Sequence, residues 1–199
     1  LRDTFPLSNY ACADLLVPCG GRPGAVNASN VHALFVAGKC KFKYIVEGAN
    51  LFFTQEARLA LEAKGVHLIK DASANKGGVT SSSQEVLVSL ALTDEEHKKW
   101  MQVQDVNNLP AFYKQYVEDV ISKIESAARK EFELIWREQK KSGKTATHLS
   151  DELSNKITKL SHKLSYSSLW DNLALRRKAI AAATPPHLVK TLGLKTLMQ

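Results

Sequence analysis

Cysteine is scarce in this chain: Cys12, Cys19 and Cys40 are odd in number, and no two stand at CxxC spacing. A disulfide framework and a zinc ribbon are both disfavoured by that count. The histidines, His32, His67, His97, His148, His162 and His187, are scattered, with no pair at metal-ligand spacing along a helix, so no metal site is expected. No apolar run approaches the roughly 18 residues a membrane span needs. No charged n-region, apolar h-region and cleavage site open the sequence. The chain begins with Leu1 rather than Met. That start is expected of a piece cut from a larger protein, so a missing leader says nothing about the parent. Internal repeats and low-complexity stretches are absent. So is a GxGxxG after any strand candidate, with its acidic residue some 20 positions on, the mark of a dinucleotide-binding first half.

What is there reads as an ordinary folded protein. The 199 residues are 44% hydrophobic and 24% charged, which excludes a disordered or collagen-like chain and suits one large domain or two small ones. Residues 1–93 carry 9 basic and 7 acidic residues, and residues 94–199 carry 18 and 13, so most of the net +7 lies in the second half. No basic stripe is interleaved with aromatics. The excess is therefore read as a solvated helical surface rather than a nucleic-acid face.

The two halves differ in texture. Residues 13–17 form a buried-strand candidate stopped by Pro18 and Gly20-Gly21. A helix is expected next, capped by Asn30, with Val31, Leu34 and Phe35 on one face and Gly38 as its stop. Residues 43–47 read as a strand, Thr54 as the cap of a helix carrying Ala57, Leu59, Ala60 and Leu61, and residues 66–69 as a third strand. Strand and helix alternating with tight connections predict a parallel sheet. Near-continuous apolar runs predict strands covered on both faces. From about residue 79 only helices are expected: residues 79–92 after Gly77-Gly78, then a long helix opened by Pro110 with a stripe from Tyr113 to Ile135. Two more follow, capped by Ser150 and Ser168, and a last turn ended by Gly193.

In open parallel sheets ligands bind beyond the carboxyl ends of the strands. Here those ends are Pro18-Cys19-Gly20-Gly21, Glu47-Gly48-Ala49-Asn50 and Asp71-Ala72-Ser73-Ala74-Asn75 with Lys76-Gly77-Gly78 beyond. Small residues let backbone approach a flat ligand, and each Asn offers a donor and an acceptor. A helix opening on Gly77-Gly78 would aim free N–H groups at an anion. Any one such loop is ordinary turn chemistry; three at consecutive strand ends point to a ligand. For Lys76 a carboxylate or phosphate contact, or solvation, is expected rather than catalysis. Glu47 is expected to orient its own loop, and Cys19 to be a small filler.

At these loops the sequence resembles the glutamate dehydrogenases. The resemblance rests on Tyr44-Ile45-Val46-Glu47-Gly48-Ala49-Asn50 followed by Thr54. It rests also on Asp71 through Asn75-Lys76-Gly77-Gly78-Val79-Thr80 with Ser82, and on Ala13-Asp14-Leu15-Leu16-Val17-Pro18. The motifs span residues 13–85, and Cys19-Gly20-Gly21-Arg22-Pro23 with the helical tail is most similar to the large NAD-specific class of fungi. The resemblance implies an α/β fold. Residues 1–92 would be the carboxyl-terminal half of a Rossmann-like NAD-binding domain, and residues 93–199 an all-helical region. It also implies NAD as cofactor, L-glutamate, 2-oxoglutarate and ammonia as reactants, a homo-oligomer, and an intracellular enzyme of cytoplasm or mitochondrion. Asn50 would contact the nicotinamide-side ribose and Asn75 the carboxamide. Cys19 and Gly20 stand where the family lines its cofactor with small residues, and Val79 and Ser82 where it touches the amino acid. The Lys and Asp of the family's acid–base chemistry belong upstream, so this piece alone is expected to be inactive. The alternative is a non-catalytic helical assembly module.

Overall fold

Short β-rich runs give strands of two or three residues here, and the 3.6-period stripes give helices. The computed structural model describes residues 3–198, so Leu1 lies outside the described residues. In chain order the elements are β1 (Leu15–Leu16), β2 (Phe35–Val36), β3 (Lys39–Cys40), β4 (Tyr44–Val46), α1 (Gln55–Glu62), β5 (His67–Ile69), α2 (Asp71–Ala74), α3 (Gly77–Ala91), α4 (Asp94–Trp100), α5 (Ala111–Ser142), α6 (Ala146–Ser165), α7 (Leu173–Ala183) and α8 (Pro186–Thr196). They group into two compact units. One takes the residues up to Lys76 with Ala128–Thr158; the other takes Gly77–Ala127 with the residues from Lys159 on. The helices α5 and α6 each give residues to both.

The first unit is α/β. Its sheet runs β1-β4-β5, all parallel, with Leu15 opposite Tyr44, and Ile45 opposite Leu16 on one side and Leu68 on the other. Ile45 and Leu68 face a core of Val26, Leu34, Phe52, Phe53, Ala57 and Leu61. Burial alternates along β4 and β5, so coverage of the second face is uneven. At its carboxyl end Ile69 packs on Ile135, Ala146 and Leu149. At its amino end Tyr44 and His67 stay exposed, their rings stacked 5.4 Å apart.

Thr54 caps α1 as expected, its hydroxyl accepting from the Ala57 amide. Three expectations need correcting. The helix after Asn30 is a single 3-10 turn, Val31–Leu34. Asn30 does not cap it, because its side chain is spent on Asn27 N and Ala25 O. The chain then turns into the β2–β3 hairpin, whose tip, Ala37 and Gly38, takes φ of 50° and 80°. Two positive φ values suit a two-residue hairpin turn, and Gly meets the second without a Cβ penalty. Second, α6 starts at Ala146, before Ser150, because the Glu62 carboxylate accepts from the Ala146 and Thr147 amides at 2.7 and 3.4 Å. A carboxylate there satisfies orphan donors and complements the helix dipole. Ser150 is buried inside the helix and bonded to Ser73. Third, Ser168 opens only a 3-10 turn, Ser168–Asp171, and Asn172 caps α7.

The second unit is helical. Val88, Leu92, Phe112, Tyr116, Val120 and Leu188 form its core. Phe112 stacks between Trp100 and Tyr116, and the Tyr116 hydroxyl donates to the Gln84 carbonyl at 2.6 Å. Asp119 accepts from the His187 amide at the start of α8. Thr93 and Glu96 make a reciprocal capping box on α4. No strand lies beyond Ile69 among the described residues.

Candidate functional site

The three loops at the carboxyl ends of β1, β4 and β5 touch one another. The Ala49 amide donates to the Pro18 carbonyl at 2.6 Å, joining the first two. A Cβ on Gly48 would stand 2.9 Å from the Cys19 sulfur and 3.1 Å from Pro18 O, so only glycine permits this approach. Asn75 closes the group from the third loop. Its Nδ2 donates to Asn50 Oδ1 at 2.5 Å and to Gly48 O at 3.3 Å. The Gly48 carbonyl, which can only accept, fixes which end of the Asn75 amide faces inward. That leaves Asn75 Oδ1 and Asn50 Nδ2, one acceptor and one donor, without a protein partner among the described residues.

Behind the loops lies a buried ion cluster that the sequence did not announce. Arg58, from the inner face of α1, donates to both oxygens of Glu47 at 2.7 and 2.8 Å and stands 3.4 Å from Asp71. Arg58 is 3% exposed and Glu47 is fully buried, so neither charge reaches solvent. Burial pushes the Glu47 carboxyl above its ordinary range, and Asp71 adds to the push; the Arg58 contacts oppose it without cancelling it. For Arg58, burial works against the charge, but the two carboxylates outweigh it and raise its value. Two carboxylates around one guanidinium account for both directions. Glu47 thus orients its loop, as expected, and its proton is not free for base chemistry. One signal could have found Arg58. It falls between Thr54 and Leu61 at helical spacing, on the stripe that buries Ala57.

Asp71 reaches the loops directly. Its Oδ2 accepts from the Leu51 amide at 2.7 Å, and its Oδ1 from the Ala72 amide at 2.8 Å. Leu51 needs such a hold, because its φ is +56°. A non-glycine residue there costs about 1–3 kcal/mol. Lys70, next in the chain, is tied to Asp151 of α6 at 2.5 Å.

The remaining residues singled out by the sequence fall as follows. Cys19 is exposed and Gly20 half-buried. Both line an apolar cavity of about 570 Å³ with Leu16, Val17, Pro18 and Phe52, which neither Asn50 nor Asn75 lines. Lys76 meets a carboxylate, Glu131, at 2.6 Å. Gly77 and Gly78 form the first turn of α3 in the helical unit. Val79 is exposed on that helix, and the Ser82 hydroxyl donates to the Val79 carbonyl. Among the described residues no group of three His, Cys, Asp or Glu could hold a metal ion, and no helix is long and apolar enough to cross a membrane.

Chemically, the arrangement offers a wall of backbone and two coupled amides at adjoining strand ends. It suits a ligand that both donates and accepts hydrogen bonds, such as a carboxamide or a sugar hydroxyl. Residues 5–143 match the family described as Glutamate/Leucine/Phenylalanine/Valine dehydrogenase. The whole chain is 53% identical to glutamate dehydrogenase 2 of Dictyostelium discoideum. It is 48% identical to the NAD-specific glutamate dehydrogenase of Neurospora crassa over 198 residues. The counterpart of the same name from Saccharomyces cerevisiae is 46% identical over 94% of the chain. The chain spans only 19%, 19% and 18% of the length of these three relatives.

Proposed function

We propose, since the chain belongs to the Glutamate/Leucine/Phenylalanine/Valine dehydrogenase family, that it supplies the nicotinamide-side part of an NAD-specific glutamate dehydrogenase. The reaction is oxidation of L-glutamate with NAD and water to 2-oxoglutarate, ammonia and NADH. Residues 1–92 act as the carboxyl-terminal half of a Rossmann-like cofactor domain, and residues 93–199 as a helical region that packs in a homo-oligomer. NAD supplies the hydride acceptor. In this chain Asn75 holds the carboxamide of the nicotinamide, Asn50 the adjacent ribose, and Cys19 and Gly20 give close backbone approach. Val79 and Ser82 contact the amino acid.

The observation that carries this reading is the Asn50–Asn75 contact, with its leftover donor and acceptor at adjoining parallel-strand ends. A nicotinamide carboxamide presents the complementary pair, so each lone amide group finds a partner. Orientation of the ring is the chain's contribution to hydride transfer. The family's acid–base Lys and Asp have no counterpart in these residues, so the chain alone is inactive. The test is Asn75→Ala in the full-length enzyme. The expected result is a KM for NAD raised roughly tenfold, the range for losing a hydrogen bond in a buried site. An unchanged KM sinks the reading, as does robust glutamate oxidation by residues 1–199 alone.

A second reading, a non-catalytic helical assembly module, draws on one observation. Leu164, Leu169, Trp170 and Leu175, with Arg176 and Ala179, line an open apolar cavity of about 280 Å³ in the helical unit. It calls for self-association that ignores Asn50 and Asn75. Sedimentation of Asn50→Ala and Asn75→Ala proteins beside their activity separates the two readings.

A further inference from the structure

We propose that Asp71, held by Arg58, is the positioning residue that sets the Asn50–Asn75 pair. The proposal rests on the cofactor reading above and adds the device that pre-organises the site. Asp71 is 6% exposed, and three groups face its carboxylate: the Leu51 amide, the Ala72 amide and the Arg58 guanidinium. Each acts on the amide pair. Through Leu51 the carboxylate clamps the residue next to Asn50 in a left-handed conformation that leucine does not adopt unaided. Through its own main chain Asp71 holds the other partner, because its carbonyl accepts from the Asn75 amide at 3.0 Å. Arg58, bound bidentately to Glu47 on β4's outgoing loop, fixes the carboxylate relative to that strand. One side chain thus spans both loops, and neither Asn50 nor Asn75 can shift without loosening it.

A purely structural ion pair makes a different demand from a positioning one, and Asp71→Asn tells them apart. The amide keeps the size of the carboxylate but can accept at one oxygen only, so either Leu51 N or Ala72 N loses its acceptor. Arg58 keeps Glu47, leaving a neutral buried pair, so the fold survives. In the full-length enzyme the expected result is a KM for NAD raised roughly tenfold, with kcat falling by less. Amide exchange at Leu51 is expected to speed up by a similar factor. Arg58→Lys, which keeps the charge and loses the planar fork, is the second arm and shifts both readouts the same way by a smaller factor. Exchange at Leu51 left unchanged in both variants overturns the proposal. If Asn50→Ala and Asn75→Ala raise KM while Asp71→Asn does not, the positioning role fails and the cofactor reading stands. If those two alanine variants leave KM where it was, the cofactor reading fails on its own account.

Discussion

Around the parallel sheet, Ile45, Phe52, Phe53, Leu61 and Leu68 are at most 1% exposed, and three charged side chains are sealed beneath the loops with them. In the helical unit the core is six residues, while Leu160, Leu164, Tyr166, Leu169, Trp170, Leu173 and Leu175 stay exposed. Charge divides along nearly the same line. Residues 1–154 carry 19 basic and 19 acidic residues, whereas residues 155–199 carry 8 and 1, which is the whole net +7. A parallel sheet must bring distant segments together and bury them before it exists at all. A helix closes its own hydrogen bonds and can form with an apolar face still bare. The same-sign charge around that face keeps it soluble.

The strongest way to break this contrast is at Arg58. Arg58→Met strands Glu47 and Asp71 without a counter-ion, at a cost of about 3–5 kcal/mol. Urea unfolding is expected to show that loss, with amide protection at Ile45 and Leu68 falling first. A loss under about 1 kcal/mol would mean the cluster is not what holds the loops. In the helical core, Leu188 is fully buried, and Leu188→Ala is expected to cost about 2–5 kcal/mol. Exchange should quicken at Val88 and Tyr116. An equal response at Ile45 would show one cooperative body in place of two.

Tyr116 gives a pH signature to the helical unit alone. Burial first, and then Asp119, pushes its hydroxyl up to about 12. The unfolded phenol titrates near ~10. The stabilisation is therefore complete below about pH 10 and is lost as pH climbs toward about 12. Tyr116→Phe should cost about 1 kcal/mol at neutral pH, from the lost bond to Gln84, and should flatten the alkaline limb. Parallel pH curves for the two proteins would refute the assignment. The smallest effect belongs to the bare face. Leu173 is 52% exposed, so Leu173→Gln should move stability by no more than about 0.5 kcal/mol while raising solubility. A larger destabilisation would mean this face is not bare in the folded chain.

Much of this was legible in the sequence, for reasons that differ by element. Thr54, β4 and β5 followed from local chemistry, a hydroxyl cap and β-branched runs. The Asn50–Asn75 contact followed from topology, because parallel neighbours put their loops at the same edge. The capping box of Thr93 and Glu96 was spelled out as T-x-x-E and passed over. The β2–β3 hairpin hid behind a helix-like spacing of Val31, Leu34 and Phe35, since a short apolar run has no decisive period. Ser150 looked like a cap and sits inside α6, because the cap comes from Glu62, remote in sequence.

By itself, then, the order of residues determined where strands and helices begin to form, which loops lack bulk, and which carry amides, since each depends on a few neighbours along the chain. Only the tertiary structure decided that Arg58 would be neutralised twice over, that Asp71 would hold Leu51 in a left-handed turn, and that Glu62 would start a helix 84 residues away. Those are meetings of charges and amides out of water. Their energy arises from a burial that no single segment can create alone.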